Sequence, residues 1–343
     1  MSAPGAPAAT AIVLNYQGGE VVRRAVGSLL EQDLPLDVVV VDNGSSDGSD
    51  AELERRFGGR IRLLRAGRNL GYGAGNNLGL RASSTRFAIL LNNDAEAAPG
   101  FARELVEAAG RDERIGMVAA KVLLHPGRER IDTAGHLLYP DGLNRGRGRL
   151  ELDRGQYDGQ SEALFPSGAA ALYRRAMLDE IGLFDERFFL YGEDAELGLR
   201  GRLAGWRCAL APRAVAWHHY SLSAGAHSSL KAFHVERNRV WVLFEHFPWP
   251  LIAVSPLYSA LRLALQGWGA LTGRGAAGRL AQERSALHLV AVTLGAWASA
   301  LAGLPRVLGE RRRLRPLRRL DTAAFLRLLD EYRITARELA LKD

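Results

Sequence analysis

Asp37-Val38-Val39-Val40-Val41-Asp42-Asn43-Gly44-Ser45-Ser46-Asp47-Gly48 is the stretch that decides the fold. Four consecutive valines favour extended backbone. Their lack of polar alternation predicts a strand covered on both faces, as in a parallel sheet. The next seven residues are a dense turn signal leading into a helix. Working outward, residues 10–14 read as a preceding strand, followed by a helix over about 20–32. Residues 61–64 and 86–91 read as third and fourth strands. Short apolar runs alternating with amphipathic ones predict strand–helix units, hence an α/β class with a mainly parallel sheet. Residues 127–159 are rich in Gly, Arg and Asp without a period and read as long loops. A helix is expected over about 194–204, with Gly205 at its C-terminal cap.

The 343 residues are 47% hydrophobic and 24% charged, enough to bury a substantial core. Cys208 is the single cysteine, which excludes an intramolecular disulfide and a thiolate metal cluster and fits a reducing compartment. The first nine residues form an Ala/Pro tail without the basic-then-apolar order of a secretory signal. Net charge is +7, carried almost wholly by arginine. Arg306, Arg311, Arg312, Arg313, Arg315, Arg318 and Arg319 crowd one stretch. No nucleic-acid motif accompanies them, whereas apolar segments (251–265 and 286–304) lie just upstream, so anionic lipid is the expected partner and nucleic acid is not. Pro256 and Arg262 interrupt the first apolar segment, which predicts salt-sensitive attachment to the bilayer surface without spanning. From Asp321, Phe325, Leu328, Leu329 and Tyr332 recur at helical spacing. The pattern changes near residue 238, dividing the chain into a sheet domain (1–237) and a helical, membrane-associating region (238–343).

In open α/β sheets, ligands bind outside the carboxyl ends of the strands. Asp42 and Asp94 occupy two such ends. Either alone reads equally as turn chemistry; as a pair, one can accept from a pyrimidine N3–H and the other can hold Mg²⁺ or Mn²⁺ against a diphosphate. Between them runs Arg68-Asn69-Leu70-Gly71-Tyr72-Gly73-Ala74-Gly75-Asn76-Asn77-Leu78-Gly79, where glycines permit close backbone approach and asparagines offer donors and acceptors. Phe188-Phe189-Leu190-Tyr191-Gly192-Glu193-Asp194 delivers two acids to a helix start. They would complement the helix dipole in any case. An aromatic wall also raises a carboxyl pKa into the range useful to a general base. Trp217-His218-His219 precedes Ser221-Leu222-Ser223, and one of the two histidines is a candidate metal ligand.

Taken in order, these motifs resemble glycosyltransferase family 2, in particular its bacterial rhamnosyltransferase-like members. The resemblance covers roughly residues 10–241. It rests on Val39 to Gly48, the Asn69-x-Gly71 to Asn77-x-Gly79 loop, Asn92-Asn93-Asp94, Ser167-Gly168, and Phe184-Asp185-Glu186 leading into Glu193-Asp194. It implies a GT-A fold and an inverting transfer from a nucleotide diphosphate sugar. In that fold Asp42 would bind the base, Asp94 a divalent metal completed by His218, and Asp194 would be the catalytic base with Glu193 beside it. Asn15, Tyr16, Asn43, Asn69, Gly71, Asn77, Asn92, Asn93 and Gly168 would line the donor site. Asn92-x-Asp94 stands where the family often has Asp-x-Asp. The implied donor is dTDP-L-rhamnose. The implied acceptor is lipid-linked or a glycan, used in cell-envelope synthesis on the cytoplasmic membrane's inner face. Two rivals stay open: a sugar-nucleotide-forming nucleotidyltransferase, and a catalytically silent sugar-nucleotide or lipid-binding protein. The first would want Arg and Lys directly after the first strand, where Asn15-Tyr16-Gln17-Gly18-Gly19 stands.

Overall fold

A computed structural model describes residues 6–219, 228–275, 278 and 285–342. Ser221, Leu222 and Ser223 lie outside the described residues. The first half alternates as expected: β1 (Ala9–Asn15), α1 (Gly19–Leu30), β2 (Leu36–Asp42), α2 (Ser49–Phe57), β3 (Arg62–Arg65), α3 (Tyr72–Ala82) and β4 (Phe87–Asn92). Then come β5 (Ala95–Ala97), α4 (Phe101–Gly110), β6 (Ile115–Leu124), β7 (Ile131–Thr133), β8 (His136–Leu138) and β9 (Asn144–Gly146). The sheet domain ends with β10 (Ala170–Arg174), α5 (Arg175–Ile181), α6 (Glu193–Leu203) and β11 (Arg207–His218). Four long helical stretches follow: α7 (Ser229–His246), α8 (Trp249–Thr272), α9 (Ala286–Leu314) and α10 (Thr322–Glu331), closed by the short α11 (Ala336–Leu341).

The main sheet runs β3-β2-β1-β4-β10-β6-β11-β5. The expectation of a mainly parallel sheet holds for β3-β2-β1-β4 and for the β6–β11 pair, but not throughout. β3, β2, β1 and β4 are parallel, but β10 is antiparallel to both β4 and β6, so the sheet is mixed. The valine run works as its composition implies. Val38 and Val40 pack against α1 and α2, while Val39 and Val41 face the opposite layer with Leu80 of α3. The stretch 127–159 is a second correction. It holds three short strands, with β7 paired to β6 and β8 to β9. Three residues are too few to set up a readable period.

Helix α6 begins at Glu193, and Gly205 lies just past its end at φ +80°. The 237/238 division falls inside α7, whose Asn238 is fully buried. Phe247, Leu251, Phe325, Leu328 and Leu329 share one core with the inner face of the sheet. Phe325, Leu328, Leu329 and Tyr332 are buried together, as their spacing predicts. Arg262 does not sit where a bilayer would meet it. It is buried against Asp141 (2.7 Å) and Glu236 (3.1 Å).

Candidate active site

Parallel register brings the ends of β1, β2 and β4 level: Asn15 lies beside Asp42, and Leu14 beside Asn92. Tyr16, Asn43, Asn69, Gly71, Asn92, Asn93, Asp94, Gly168, Glu193, Asp194 and His218 all line one cavity of about 730 Å³ above this edge. Sequence positions nearly 200 residues apart therefore meet because the sheet orders them. Asn43 anchors the loop before α3. Its amide donates to Asn69 Oδ1 (3.1 Å) and its oxygen accepts from Leu70 N–H (2.9 Å). Gly71 has φ +84°, and a Cβ there would stand 2.3 Å from the Phe189 carbonyl, so no other residue fits.

Three expected donor-site residues are placed otherwise. Asn77 is a correction: both ends of its amide are spent on the backbone of Phe184, at 2.9 and 3.1 Å, and it faces away from the cavity. Asn15 and Asp42 lie behind the cavity wall. The Asn15 amide donates to Asp42 (3.0 Å) and Ser49 (2.8 Å), while Asp42 also accepts from Ser45 N–H (3.2 Å).

On one side of the cavity, β11 pairs with β5 and sets His218 opposite Ala95. His218 Nε2 is 3.1 Å from Asp94 Oδ1, and its Nδ1 is 2.8 Å from Asp132 Oδ2. Burial opposes charge on the ring, but the hydrogen bonds and charges of Asp132 and Asp94 win and push His218 up to about 10. Asp132, though buried, is held below the usual carboxylate range by His218 and Arg149. His219 points elsewhere, stacking on His125 and meeting Glu96 at 3.3 Å. The donor set fits a divalent ion. With a proton kept on Nδ1 for Asp132, a cation displacing the Nε2 proton would take that nitrogen's lone pair beside the Asp94 carboxylate, the usual carboxylate–histidine–metal arrangement.

Elsewhere in the same cavity, Asp194 Oδ2 accepts from Gly168 N–H (3.2 Å) and Oδ1 from its neighbour Ala195 N–H (2.8 Å). Gly168 is held in turn by the Tyr72 hydroxyl on its carbonyl (2.6 Å). Glu193 is buried, its Oε2 has no hydrogen-bond partner, and burial first and Asp194 second push it up to about 8. The approach to these acids is strained, since Phe189 (φ 62°) and Tyr191 (φ 65°) both adopt left-handed backbone. Asn238 clamps that turn by donating to the carbonyls of Phe188, Leu190 and Tyr191 at 3.1, 3.0 and 2.5 Å.

Asp132, Arg149, Lys231 and Arg239 line the cavity and Asn238 braces the turn beside it, and the sequence did not disclose them. Asp132 and Arg149 lie in the stretch read as loops, and the other three belong to a helix with no motif. Behind α6, Glu196, Glu245 and His246 cluster within metal-ligand distance. Glu196 is already paired bidentately with Arg200, and Glu245 faces Arg187, so this is a buried ion network joining α6 to α7.

Comparison with known proteins agrees with this geometry. The family model described as Glycosyltransferase like family 2 matches residues 6–242. The N-acetylglucosaminyl-diphospho-decaprenol L-rhamnosyltransferase of Mycobacterium tuberculosis is 29% identical over 270 residues, 69% of this chain and 85% of that one. Among solved structures, GalNAc-T7 with UDP, GalNAc and Mn²⁺ superposes with a TM-score of 0.56 at 18% identity, over 70% of this chain and 48% of that one. Residues 1–349 of S. aureus TarS with UDP superpose with a TM-score of 0.53 at 16% identity, over 94% and 90%. At these identities the structural likeness is one of fold.

Proposed function

Because the chain belongs to glycosyltransferase family 2, we propose that it serves cell-envelope glycan synthesis and that its cavity performs a metal-assisted, inverting transfer from a nucleotide diphosphate sugar to a lipid-linked hydroxyl. The observation that carries the reading is that the Asp94–His218 pair and the Asp194 carboxylate line one cavity. Asp94 and His218 would hold Mg²⁺ or Mn²⁺, whose charge would offset that developing on the departing diphosphate. Asp42, buried behind the wall and accepting from Asn15 and Ser45 N–H, would brace the end of β2 beside the nucleobase rather than touch it. Asn43 and Asn69 shape the loop over which the donor lies.

Asp194 is fixed by Gly168, so its free lone pairs face the cavity. There it takes the proton of the acceptor hydroxyl while that oxygen bonds to the anomeric carbon and the carbon–diphosphate bond breaks on the opposite face. One displacement inverts the centre, and no second carboxylate is needed as a nucleophile. Glu193, protonated near neutrality, keeps a second negative charge away from the base.

Likeness to the mycobacterial rhamnosyltransferase favours β-linked dTDP-L-rhamnose as donor, giving an α-rhamnoside, and a polyprenyl-diphosphate-linked sugar as acceptor. The test is a donor panel of dTDP-, UDP- and GDP-sugars with Mg²⁺ or Mn²⁺ and such an acceptor, scoring nucleoside diphosphate release. Acceptor-dependent release from one donor is expected. Donor binding without release would leave a silent binding protein instead.

A further inference from the structure

Helices α8 and α9 each turn outward a face that nothing among the described residues covers. On α8, Val254, Leu257, Leu261, Ala264, Trp268 and Leu271 recur at alternating spacings of three and four, so they fall on one line along the helix, about 25 Å long. All six are exposed, Leu257 at 74% and Leu271 at 89%. On α9, Leu287, Ala291, Leu294, Ala298 and Leu301 repeat the pattern, again exposed. Neither stripe holds a charge. The opposite faces belong to the protein: Arg262 reaches Asp141 and Glu236, Trp297 donates to Glu236 (2.7 Å), and Ala296 and Ala300 are buried. Residues 287–317 are long and apolar enough to cross a membrane, and in this structure the same helix packs along α7.

The rims of the stripes carry the chemistry of a lipid interface. Trp249, at the start of α8, lies under Arg311 of α9 (4.5 Å), which joins the two helices there, and Trp268 lies under Arg274 (5.3 Å). Of the seven clustered arginines, four are committed within the protein. Arg311 donates to the Phe244 and Phe247 carbonyls and Arg318 to that of Glu245, Arg313 pairs with Glu310, and Arg319 pairs with Glu180. Arg306, Arg312 and Arg315 are exposed, with no acidic partner among the described residues. Aromatic anchors, apolar stripes and unneutralised arginines together match an anionic bilayer surface. The cavity lies close by: Leu230 and Lys231 line it, and the adjacent Ser229 meets His288 of α9 at 2.8 Å.

We propose that the α8 and α9 stripes form one membrane-docking face that lies in the headgroup–acyl boundary of an anionic bilayer and holds the cavity beside a lipid-borne acceptor. The acceptor's place rests on the transfer reading above; the docking does not. Two variants of the full chain test it, Leu257→Glu with Leu271→Glu, and Leu294→Glu with Leu301→Glu. Each is floated with phosphatidylglycerol–phosphatidylcholine vesicles and assayed with a short-chain, water-soluble acceptor. Wild type is expected to float. Either variant should partition about 100-fold less, since a charge buried in the apolar layer costs that much, while transfer to the soluble acceptor stays unchanged. Changing Arg306, Arg312 and Arg315 to Gln should weaken binding to anionic vesicles roughly fivefold per residue, with little change on phosphatidylcholine alone. Failure of wild type to float, or equal flotation of the Glu variants, overturns the proposal. So does resistance to carbonate extraction, or a wild-type dimer in sedimentation that the variants abolish with flotation untouched. Flotation by a wild type inactive on every acceptor would break the transfer reading and leave the docking face standing.

Discussion

Two acidic groups line one cavity, and their surroundings give them opposite characters. Beside Asp94 and Asp132, attraction outweighs burial: the His218 imidazole is pushed up to about 10 and Asp132 is held below the usual carboxylate range. Glu193, in the same cavity, has no cation beside it, and burial next to Asp194 makes it hold its proton to about pH 8. The first side is organised to keep charge and hold a cation; the second is organised to handle a proton. The lesson is that the same residue type does different chemistry according to whether a cation is built in beside it.

The largest expected break in that contrast is Asp194→Asn. The amide keeps the Gly168 hydrogen bond but has no basic oxygen. Transfer should fall about 10²- to 10⁴-fold with donor affinity nearly unchanged. Single-turnover rates with saturating donor check it, and a loss below tenfold would remove Asp194 as base.

Glu193→Gln should sharpen the contrast through stability. A carboxyl whose folded pKa is raised from 4.5 to about 8 favours the folded state below pH 4.5, and that advantage is lost as pH rises through 8. The wild type should therefore lose on the order of a few kcal/mol between those pH values, and Gln, an isostere of the neutral acid, should flatten the loss. Urea melts at pH 5 and pH 8.5 measure it; identical pH slopes for the two proteins would mean Glu193 is ionised throughout.

In the charge-holding half, Asp132→Ala removes the acceptor that orients His218. Metal affinity should weaken about 10- to 100-fold, as for other partners that orient ligating histidines. Titration with Mn²⁺, followed by electron paramagnetic resonance, reads this directly. Unchanged affinity would place the ion away from His218.

The two sides also differed in how far the sequence disclosed them. Asp42, Asp94 and Asp194 were readable because each follows a strand or opens a helix with strong turn chemistry. The choice of His218 over His219 was not fixed by the residues themselves. The end of β11 turns the His218 imidazole to Asp94, and the following His219 meets Glu96. Asp132 stayed hidden among three-residue strands, and Asn238 inside a helix whose position against the 188–191 turn is wholly tertiary. Asn77 was misplaced because an amide that suits a ligand suits the Phe184 backbone equally well. Arg262 was read as a charge that keeps its segment from spanning a bilayer. It faces inward, and the apolar stripe on the other side of the same helix could be recognised only once that inner face was known.

The division of the cavity is tested most directly by calorimetric titration of the sugar-nucleotide donor, with and without Mn²⁺, into wild type, Asp94→Ala and Asp194→Asn. The account predicts that Asp94→Ala loses the gain in affinity given by Mn²⁺, while Asp194→Asn keeps it in full despite its failed transfer. Equal Mn²⁺ dependence in wild type and Asp94→Ala, or its loss in Asp194→Asn, would contradict the separation of a charge-holding side from a proton-taking one.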